Sequence, residues 1–296
     1  RKRGQMVTPL LPAHMRDVSV SRRGKRLLGP VDLTLGKTGF TILLGPNGAG
    51  KTTFLKALHG LERLSTGAVT WAVPDDLARM RQAYVFQSPV MLRRSVRANL
   101  GYPLAILGQP KAQVNKAVEA WAARIGLTPA LDRPATGLSG GEKQKLALAR
   151  ALIRTPEMLL LDEPCANLDG RSVKDIEALL QSAHQSGTRI VMATHDLGQA
   201  RRLATEILFL FKGRIHEAGP APDAFHQQRC RNGGQGRGDD DGGNGQGRQG
   251  LVLGNGGADQ AAQDNLHRQS AHEQRLTHGQ NADVFVIAGY GHSGSF

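Results

Sequence analysis

The sequence predicts an α/β fold with a mostly parallel sheet, preceded by an antiparallel β layer and interrupted by a helical subdomain. Two short apolar runs, residues 40–44 and 158–161, have the composition of strands buried on both faces of a parallel sheet. Between residues 88 and 155 apolar residues recur instead at steps of three and four, which indicates helices. A chain of 296 residues is long enough to bury such a core.

The antiparallel layer is predicted from residues 16–45, where two apolar stretches flank a short polar turn. From residue 45 to residue 87 we expect a strand, a helix and a second strand. Residues 157–216 return to alternating strands and helices, and Lys212-Gly213 predicts a closing hairpin.

A glycine-rich loop follows the first apolar run. It reads GPNGAGKT and matches the phosphate-binding pattern G-x-x-x-x-G-K-[ST]. Its backbone N–H groups and the next helix N-terminus favour phosphate oxygens, with Lys51 reaching the β- and γ-phosphates and Thr52 binding Mg²⁺. The alternative is an ordinary glycine-rich turn. The residues predicted to bind the triphosphate are Gly45, Pro46, Asn47, Gly48, Ala49, Gly50, Lys51, Thr52 and Thr53.

An acidic pair, Asp162-Glu163, ends the second apolar run. Ligands of parallel sheets bind beyond the carboxyl ends of the strands, so the pair is predicted to lie beside the phosphates. Asp162 is predicted to hold Mg²⁺ through water, and Glu163 to act as general base towards the attacking water. A solvated surface pair is the alternative, but two carboxylates ending a buried strand are costly without a cation.

The segment LSGGEKQ, from residue 138, predicts both a helix start and an anion site. Ser139 with Glu142 three residues later forms a capping box, and a helix to about residue 154 follows. Because the loop at 45–52 already binds one triphosphate, the second anion site is predicted to cover the nucleotide of a two-fold partner. The residues predicted to do so are Ser139, Gly140, Gly141 and Glu142.

Three single residues complete the predicted site by their order relative to these motifs. His195 follows an apolar β-type run and is predicted to contact the γ-phosphate or the water. Gln87 follows residues 84–86 and offers an amide oxygen to the metal. Asp169 lies just past the acidic pair and is predicted at the subunit seam. Singly, each residue type is common at strand ends and in loops.

Charge and cysteine content exclude several classes of function. The net charge is +13, and residues 229–296 carry six Arg and seven acids, which leaves +14 for residues 1–228. The basic residues are scattered with few aromatics between them, so a solvated face is predicted rather than nucleic-acid binding. Two cysteines are too few for a disulfide framework and favour a reducing cytoplasm. No apolar stretch reaches the roughly 18 residues needed to span a bilayer.

Residues 88–108 predict a protein-docking segment, because apolar residues there neighbour arginines. An ordinary surface loop with a buried side is the alternative. The apolar residues are Val90, Met91, Leu92, Val96 and Leu100, and the arginines are Arg93, Arg94 and Arg97.

Three regions are predicted along the chain. Residues 1–14 form an N-terminal extension, and residues 15–228 form one domain whose helical subdomain covers about 88–155. Residues 229–296 are a low-complexity tail, dense in glycine between 232 and 250, and we predict disorder there. The abrupt change of composition suggests a shifted reading frame as one origin of the tail.

Over about residues 15–228, the ordered motifs resemble those of the ATP-binding subunits of ABC transporters. The resemblance implies a P-loop NTPase core, a homodimer that encloses two ATP molecules head to tail, and hydrolysis that requires Mg²⁺. It further implies integral membrane permease subunits and a solute-binding protein as partners, with the chain peripheral to the cytoplasmic face of the inner membrane. Residues 86–96 and 194–204 are most similar to importers of oxyanions, tungstate especially.

Two positions depart from the family pattern. Residues 21–24 lack the aromatic that the family uses against adenine, and Cys165 stands where Thr or Ser is common. Another class of ABC importer or exporter is the alternative function, as is a non-transport ABC ATPase. A DNA-repair ATPase would need a long coiled coil between the glycine-rich loop and LSGGEKQ. A translation factor would carry two such ATP-binding domains (cassettes) in tandem. A kinase would leave LSGGEKQ unexplained.

Overall fold

A computed structural model describes residues 8–221 of the chain. The β-strands are β1 (Ala13–Arg22), β2 (Lys25–Leu35), β3 (Phe40–Leu44), β4 (Thr66–Trp71), β5 (Gln82–Val85), β6 (Met158–Asp162), β7 (Arg189–Ala193), β8 (Glu206–Phe211) and β9 (Arg214–Pro220). The α-helices are α1 (Lys51–His59), α2 (Asp75–Arg81), α3 (Val96–Ile106), α4 (Lys111–Arg124), α5 (Gly140–Leu152), α6 (Gly170–Gln185) and α7 (Leu197–Leu203). Two single-turn 3₁₀ helices, Thr128–Ala130 and Ala135–Gly137, lie between α4 and α5.

Six strands form the larger sheet, in the order β5-β6-β7-β3-β8-β9. The first five run parallel, and β9 pairs antiparallel with β8 through the hairpin predicted at Lys212-Gly213. Because β6, β7 and β3 are neighbours, the segments that follow them meet at one edge of the sheet. The predicted α/β class with a mostly parallel sheet is confirmed.

The parallel strands separate two hydrophobic cores, because their side chains alternate between the two faces. In β6, Leu159 and Leu161 pack with helices α3 to α7, whereas Met158 and Leu160 pack with α1 and the strands of the smaller sheet. All five residues of β6 are buried. This explains the continuous apolar run in the sequence.

The smaller sheet is the predicted antiparallel layer, but it contains a strand from later in the chain. Its order is β2-β1-β4, with Ala13 opposite Trp71. The strand expected between residues 45 and 87 is therefore two strands, β4 in this layer and β5 in the larger sheet. The sequence could not separate them, since partner choice between sheets depends on contacts distant in the chain.

The N-terminal boundary lies earlier than residue 15. Strand β1 begins at Ala13, and the side chains of Leu10 and Leu11 are buried. The Leu10 amide donates to Glu157 Oε2 at 2.7 Å, which joins this segment to the start of β6. Residues 8–14 are thus part of the fold rather than an extension.

Helices α3, α4 and α5 occupy the region predicted to be a helical subdomain. Helix α5 begins at Gly140, because Ser139 is its N-cap, and ends at Leu152, two residues before the predicted end near residue 154. None of the helices within residues 8–221 is long and apolar enough to cross a bilayer. The predicted tail, residues 229–296, lies outside the described residues.

Candidate functional site

The glycine-rich loop joins β3 to α1, and its backbone requires glycine. Gly50 has a φ of 103° and precedes the first residue of α1. At Gly45, with a φ of 153°, a Cβ atom would collide with the Leu210 carbonyl oxygen. The turn between β8 and β9 fixes the loop from the other side, since the Gly213 amide donates to Ala49 O at 2.9 Å. The loop is therefore held in shape by the sheet beneath it.

Lys51 is buried at the start of α1, and its ammonium points into the loop. Its Nζ donates to the carbonyl oxygens of Gly45 at 2.8 Å and Pro46 at 3.3 Å. It also lies 3.5 Å from Glu163 Oε1. The ammonium thus lies between the phosphate-binding loop and the acidic pair.

Asp162 ends β6 with its side chain against α1. Its Oδ1 accepts a hydrogen bond from the Thr52 hydroxyl at 3.0 Å, and its Oδ2 lies 3.5 Å from the Tyr84 hydroxyl. Burial raises the pKa of the Asp162 carboxyl, while the Thr52 hydroxyl lowers it. Two hydroxyl donors, one for each carboxylate oxygen, fix its orientation.

These oxygen donors fit a hard divalent cation. The Thr52 hydroxyl and the Asp162 carboxylate lie together at the N-terminus of α1. Within residues 8–221, no three His, Cys, Asp or Glu side chains group as a metal cluster. A Mg²⁺ ion here would take its other ligands from phosphate oxygens, from water and from the amide oxygen predicted to bind it, that of Gln87.

The Glu163 carboxylate is the point at which the separate motifs meet. Its Oε1 faces Lys51, and its Oε2 lies 3.3 Å from His195 Nδ1 and 3.5 Å from Gln87 Nε2. The Glu163 amide donates to Ala193 O at 3.0 Å, and the residue has a φ of 46°. The structure thus brings together Lys51, Gln87, Glu163 and His195, which are separated by up to 144 positions in the chain.

A cavity of about 780 Å³ opens between these residues and the smaller sheet. Its lining combines residues 47–53 and Glu163 with residues that the sequence did not single out, Lys25, Arg26 and Lys212. The lining residues include no aromatic, and Arg22, within the stretch expected near adenine, pairs instead with Glu62 at 2.9 Å. Short turns rich in basic residues were the only sequence signal for this cationic wall.

The residues at the start of α5, Ser139 to Glu142, are called the signature residues below. They do not line that cavity. Ser139 Oγ accepts from the Glu142 amide at 3.3 Å, and Glu142 Oε2 accepts from the Ser139 amide at 2.8 Å, which forms the predicted capping box. These hydrogen bonds hold the pKa of Glu142 below its usual range. The anion site predicted at the N-terminus of α5 therefore lies outside the cavity that borders the chain's own phosphate loop.

Asp169 lies beside this helix start, at the N-terminus of α6. Its Oδ1 accepts from the Arg171 and Ser172 amides, and its Oδ2 accepts from the Ser172 hydroxyl at 2.8 Å. A Cβ at Gly141 would collide with that same hydroxyl. Gly141 thus allows α5 and α6 to approach closely, which places Asp169 next to the signature residues.

A second cavity, the α3 groove, lies between α3, β5 and residues 86–92 and has a volume of about 550 Å³. Its exposed apolar residues are Met80, Phe86, Val90, Tyr102, Ile106 and Leu107. The predicted docking segment is partly wrong, because Val96 and Leu100 are fully buried in the core. Arg97 pairs with Asp132 at 3.0 Å, and the groove takes its positive charge from Arg79, Arg150 and Arg154.

Comparison with known proteins identifies the family. The family model described as ABC transporter matches residues 28–166. The tungstate uptake system ATP-binding protein TupC of Peptoclostridium acidaminophilum is 38% identical over 66% of this chain and 92% of its own length. The chain belongs to the ABC transporter family of ATP-binding proteins. The family and the enzyme class predicted from the motifs, an ABC-type ATPase, are thereby confirmed.

Other relatives carry different names. The nickel import ATP-binding protein NikO of Rhodobacter capsulatus is 37% identical over 71% of this chain and 90% of its own length. The sn-glycerol-3-phosphate import ATP-binding protein UgpC 2 of Agrobacterium fabrum is 37% identical, with 67% of this chain covered. The chain spans only 54% of the length of that relative. Together with TupC, these relatives are import or uptake proteins with three different solutes in their names.

Solved structures support the fold. A cbiO1 subunit from Clostridium perfringens, part of a cbiONQ complex, has a TM-score of 0.67 at 24% identity, covering 76% of this chain and 94% of that chain. A dimeric ATP-binding cassette in a post-hydrolysis state with ADP and phosphate has a TM-score of 0.64 at 24% identity, covering 71% and 98%. Both share the ABC ATPase fold.

Proposed function

We propose that the cassette is the ATP-hydrolysing subunit of an import complex and couples hydrolysis at a head-to-tail dimer interface to solute uptake through separate membrane subunits. The observation that carries this proposal is the convergence of Lys51, Gln87 and His195 on the Glu163 carboxylate beside the phosphate loop. A turn or a surface acidic pair would not require these contacts.

In this proposal the loop and Lys51 bind the triphosphate, and Thr52 and Asp162 hold Mg²⁺. Bound Mg²⁺ neutralises charge on the transferred phosphoryl group. Glu163 accepts a proton from the attacking water, and His195 and Gln87 lie close enough to its carboxylate to orient that water. Lys25, Arg26 and Lys212 add positive charge on the open side of the cavity.

The dimer is supported by the position of the signature residues. Ser139, Gly140 and Gly141 form an anion-binding helix start that does not line the cassette's own nucleotide cavity. A two-fold partner would bring each helix start to the other subunit's nucleotide, with Asp169 at the seam.

The membrane partner is a permease whose cytoplasmic helix lies in the α3 groove. The groove presents exposed apolar side chains between arginines, the composition of a protein interface. A solute-binding protein completes the importer, and the cassette works at the cytoplasmic face of the membrane. Tungstate or a related oxyanion is the proposed solute, supported by the similarity to TupC.

Glu163→Gln tests the hydrolytic mechanism. The variant keeps the shape of the side chain but loses the proton acceptor, so we expect ATP binding to persist while hydrolysis falls about a hundredfold or more. ATP-bound dimers should accumulate on size-exclusion chromatography. Glu119→Gln, on the exposed face of α4, is the control. Hydrolysis of Glu163→Gln at the unchanged chain's rate would contradict the assignment.

The solute is tested separately, in vesicles that contain the cassette with its permease and solute-binding protein. We expect tungstate to stimulate ATP hydrolysis and to be taken up, and molybdate to compete with it. Stimulation by nickel or glycerol 3-phosphate instead would reject the oxyanion and leave the ATPase assignment intact.

A further inference from the structure

One side chain, Tyr84 of β5, lines the α3 groove and also contacts the acidic pair. Its ring lines the α3 groove, and its hydroxyl lies 3.5 Å from Oδ2 of Asp162, the residue proposed to hold Mg²⁺. Tyr84 pairs with Leu160 in the parallel register of β5 and β6, so its side chain lies on the same face of the sheet as Asp162. The tyrosine thus reaches across the face from the groove to the acidic pair.

Aromatic contacts fix the ring of Tyr84 within the groove wall. Its centroid lies 4.6 Å from that of Phe86 and 5.7 Å from that of His59, which it meets edge to face. Both neighbours line the groove, and the Phe86 side chain is exposed there. A segment bound in the groove would therefore press on rings that pack directly against Tyr84.

At its other end, the Tyr84 hydroxyl is one of two donors to the Asp162 carboxylate. The Thr52 hydroxyl donates to Oδ1 from the phosphate helix, while Tyr84 approaches Oδ2 from the groove side. A tyrosine hydroxyl is protonated near neutral pH and can therefore act as a donor to this carboxylate.

We propose that Tyr84 is a positioning residue that makes metal binding at Asp162 depend on what occupies the α3 groove. The inference rests on the proposed role of Asp162 as a Mg²⁺ carboxylate. Movement of the ring changes the distance from the hydroxyl to Oδ2, and with it the orientation in which the carboxylate meets the metal. The groove and the metal site are coupled through one side chain without movement of the sheet.

Tyr84→Phe removes the hydroxyl and keeps the ring. We measure Mn²⁺ affinity by electron paramagnetic resonance in the full chain with a non-hydrolysable ATP analogue, and analogue binding without metal as a check of the site. We expect the Mn²⁺ dissociation constant to rise about three- to tenfold, the loss of one hydrogen bond of ordinary strength, because the 3.5 Å contact is long, with metal-free binding unchanged. Tyr102→Phe, which removes a hydroxyl elsewhere in the same groove, should leave both unchanged.

A double-mutant cycle tests the link to the groove itself. Ile106→Trp adds a ring to the groove from α3, and we expect it to change Mn²⁺ affinity at least twofold when Tyr84 is present but not in the Tyr84→Phe background. Equal shifts in both backgrounds, or unchanged Mn²⁺ affinity in Tyr84→Phe, would overturn the inference alone. Absence of any nucleotide-dependent Mn²⁺ binding in the unchanged chain would overturn the proposed function and this inference with it.

Discussion

At the scale of single residues, Lys51 shows how burial and charge are combined at the site. Its side chain is 6% exposed, and its ammonium contacts two loop carbonyls and one carboxylate. Carbonyl partners are neutral, so phosphate oxygens would be stronger acceptors for the same three donors. The lysine is thus positioned to exchange the loop carbonyl oxygens for the phosphate oxygens of a bound nucleotide.

Lys51→Ala should weaken ATP binding by about a hundredfold or more, since truncating one partner of a buried charge pair costs about 2–5 kcal/mol. Equilibrium titration with a fluorescent ATP analogue measures the loss. Lys111→Ala, at the exposed start of α4, is the matched control. Unchanged affinity in Lys51→Ala would mean that the loop is only a turn.

The sequence predicted Lys51 and Glu163 as site residues but not every side chain that surrounds them. Tyr84 belongs to the apolar run of residues 84–86 before Gln87. The sequence favours a core position for it, because an aromatic residue in a strand is far more often part of the core than a donor to a carboxylate. Lys212 lies in a short turn and Arg26 follows one at the start of β2, where basic residues are usually solvated. Their approach to the cavity depends on how the smaller sheet and the β8–β9 hairpin fold over the loop, which local patterns do not encode.

At the scale of elements, β7 carries a charge at one end and the candidate site at the other. Arg189 begins the strand and is fully buried, with its Nη2 2.6 Å from Glu206 Oε2 and 2.7 Å from the Thr41 hydroxyl. This pair joins three adjacent strands, β3, β7 and β8. The sequence predicted the strand, but no pattern indicated that its first residue would be a buried cation.

Arg189→Ala should lower the free energy of unfolding by about 3–5 kcal/mol, because it leaves Glu206 without its buried partner. ATP affinity should be unchanged in the folded fraction, since the phosphate loop lies at the opposite ends of these strands. Urea denaturation and nucleotide titration measure the two effects. Arg171→Ala, on the exposed start of α6, is the comparison; an equal loss in both variants would contradict the role of the pair.

Helix α3 contributes one wall of the groove, and Val90 lies opposite with 70% of its side chain exposed. Val90→Asp places a charged carboxylate among the apolar side chains where a permease helix would bind. We expect solute-stimulated hydrolysis and uptake in vesicles to fall together at least tenfold, while the isolated cassette keeps its rate at saturating Mg²⁺. Leu61→Asp changes another exposed apolar side chain, one that does not line the groove, and serves as control. Full uptake by Val90→Asp would place the permease elsewhere.

At the scale of the whole molecule, composition divides the chain near residue 228. The first part carries a net charge of +14 and all of the motifs, while residues 229–296 carry −1 and much of the glycine. Such a composition offers little apolar surface with which to pack against the cassette.

Deletion of residues 229–296 should therefore leave the melting temperature and the rate of ATP hydrolysis unchanged. Differential scanning calorimetry and a phosphate-release assay compare the two forms. A melting temperature lowered by several degrees would show that the tail packs on the cassette. Deletion of residues 1–11 is the contrasting variant, and it should lower the melting temperature because Leu10 and Leu11 are buried.

The backbone conformation of Glu163, the residue proposed as the catalytic base, lowers the stability of the folded protein. A glutamate with a φ of 46° costs about 1–2 kcal/mol relative to a residue that tolerates this conformation, such as glycine or asparagine. Heat challenge of a random library, scored only by survival, should therefore enrich replacements at this position that have lost turnover. If Glu163 is the base, substitutions that raise the melting temperature without loss of hydrolysis must leave this position unchanged and lie elsewhere in the sheet.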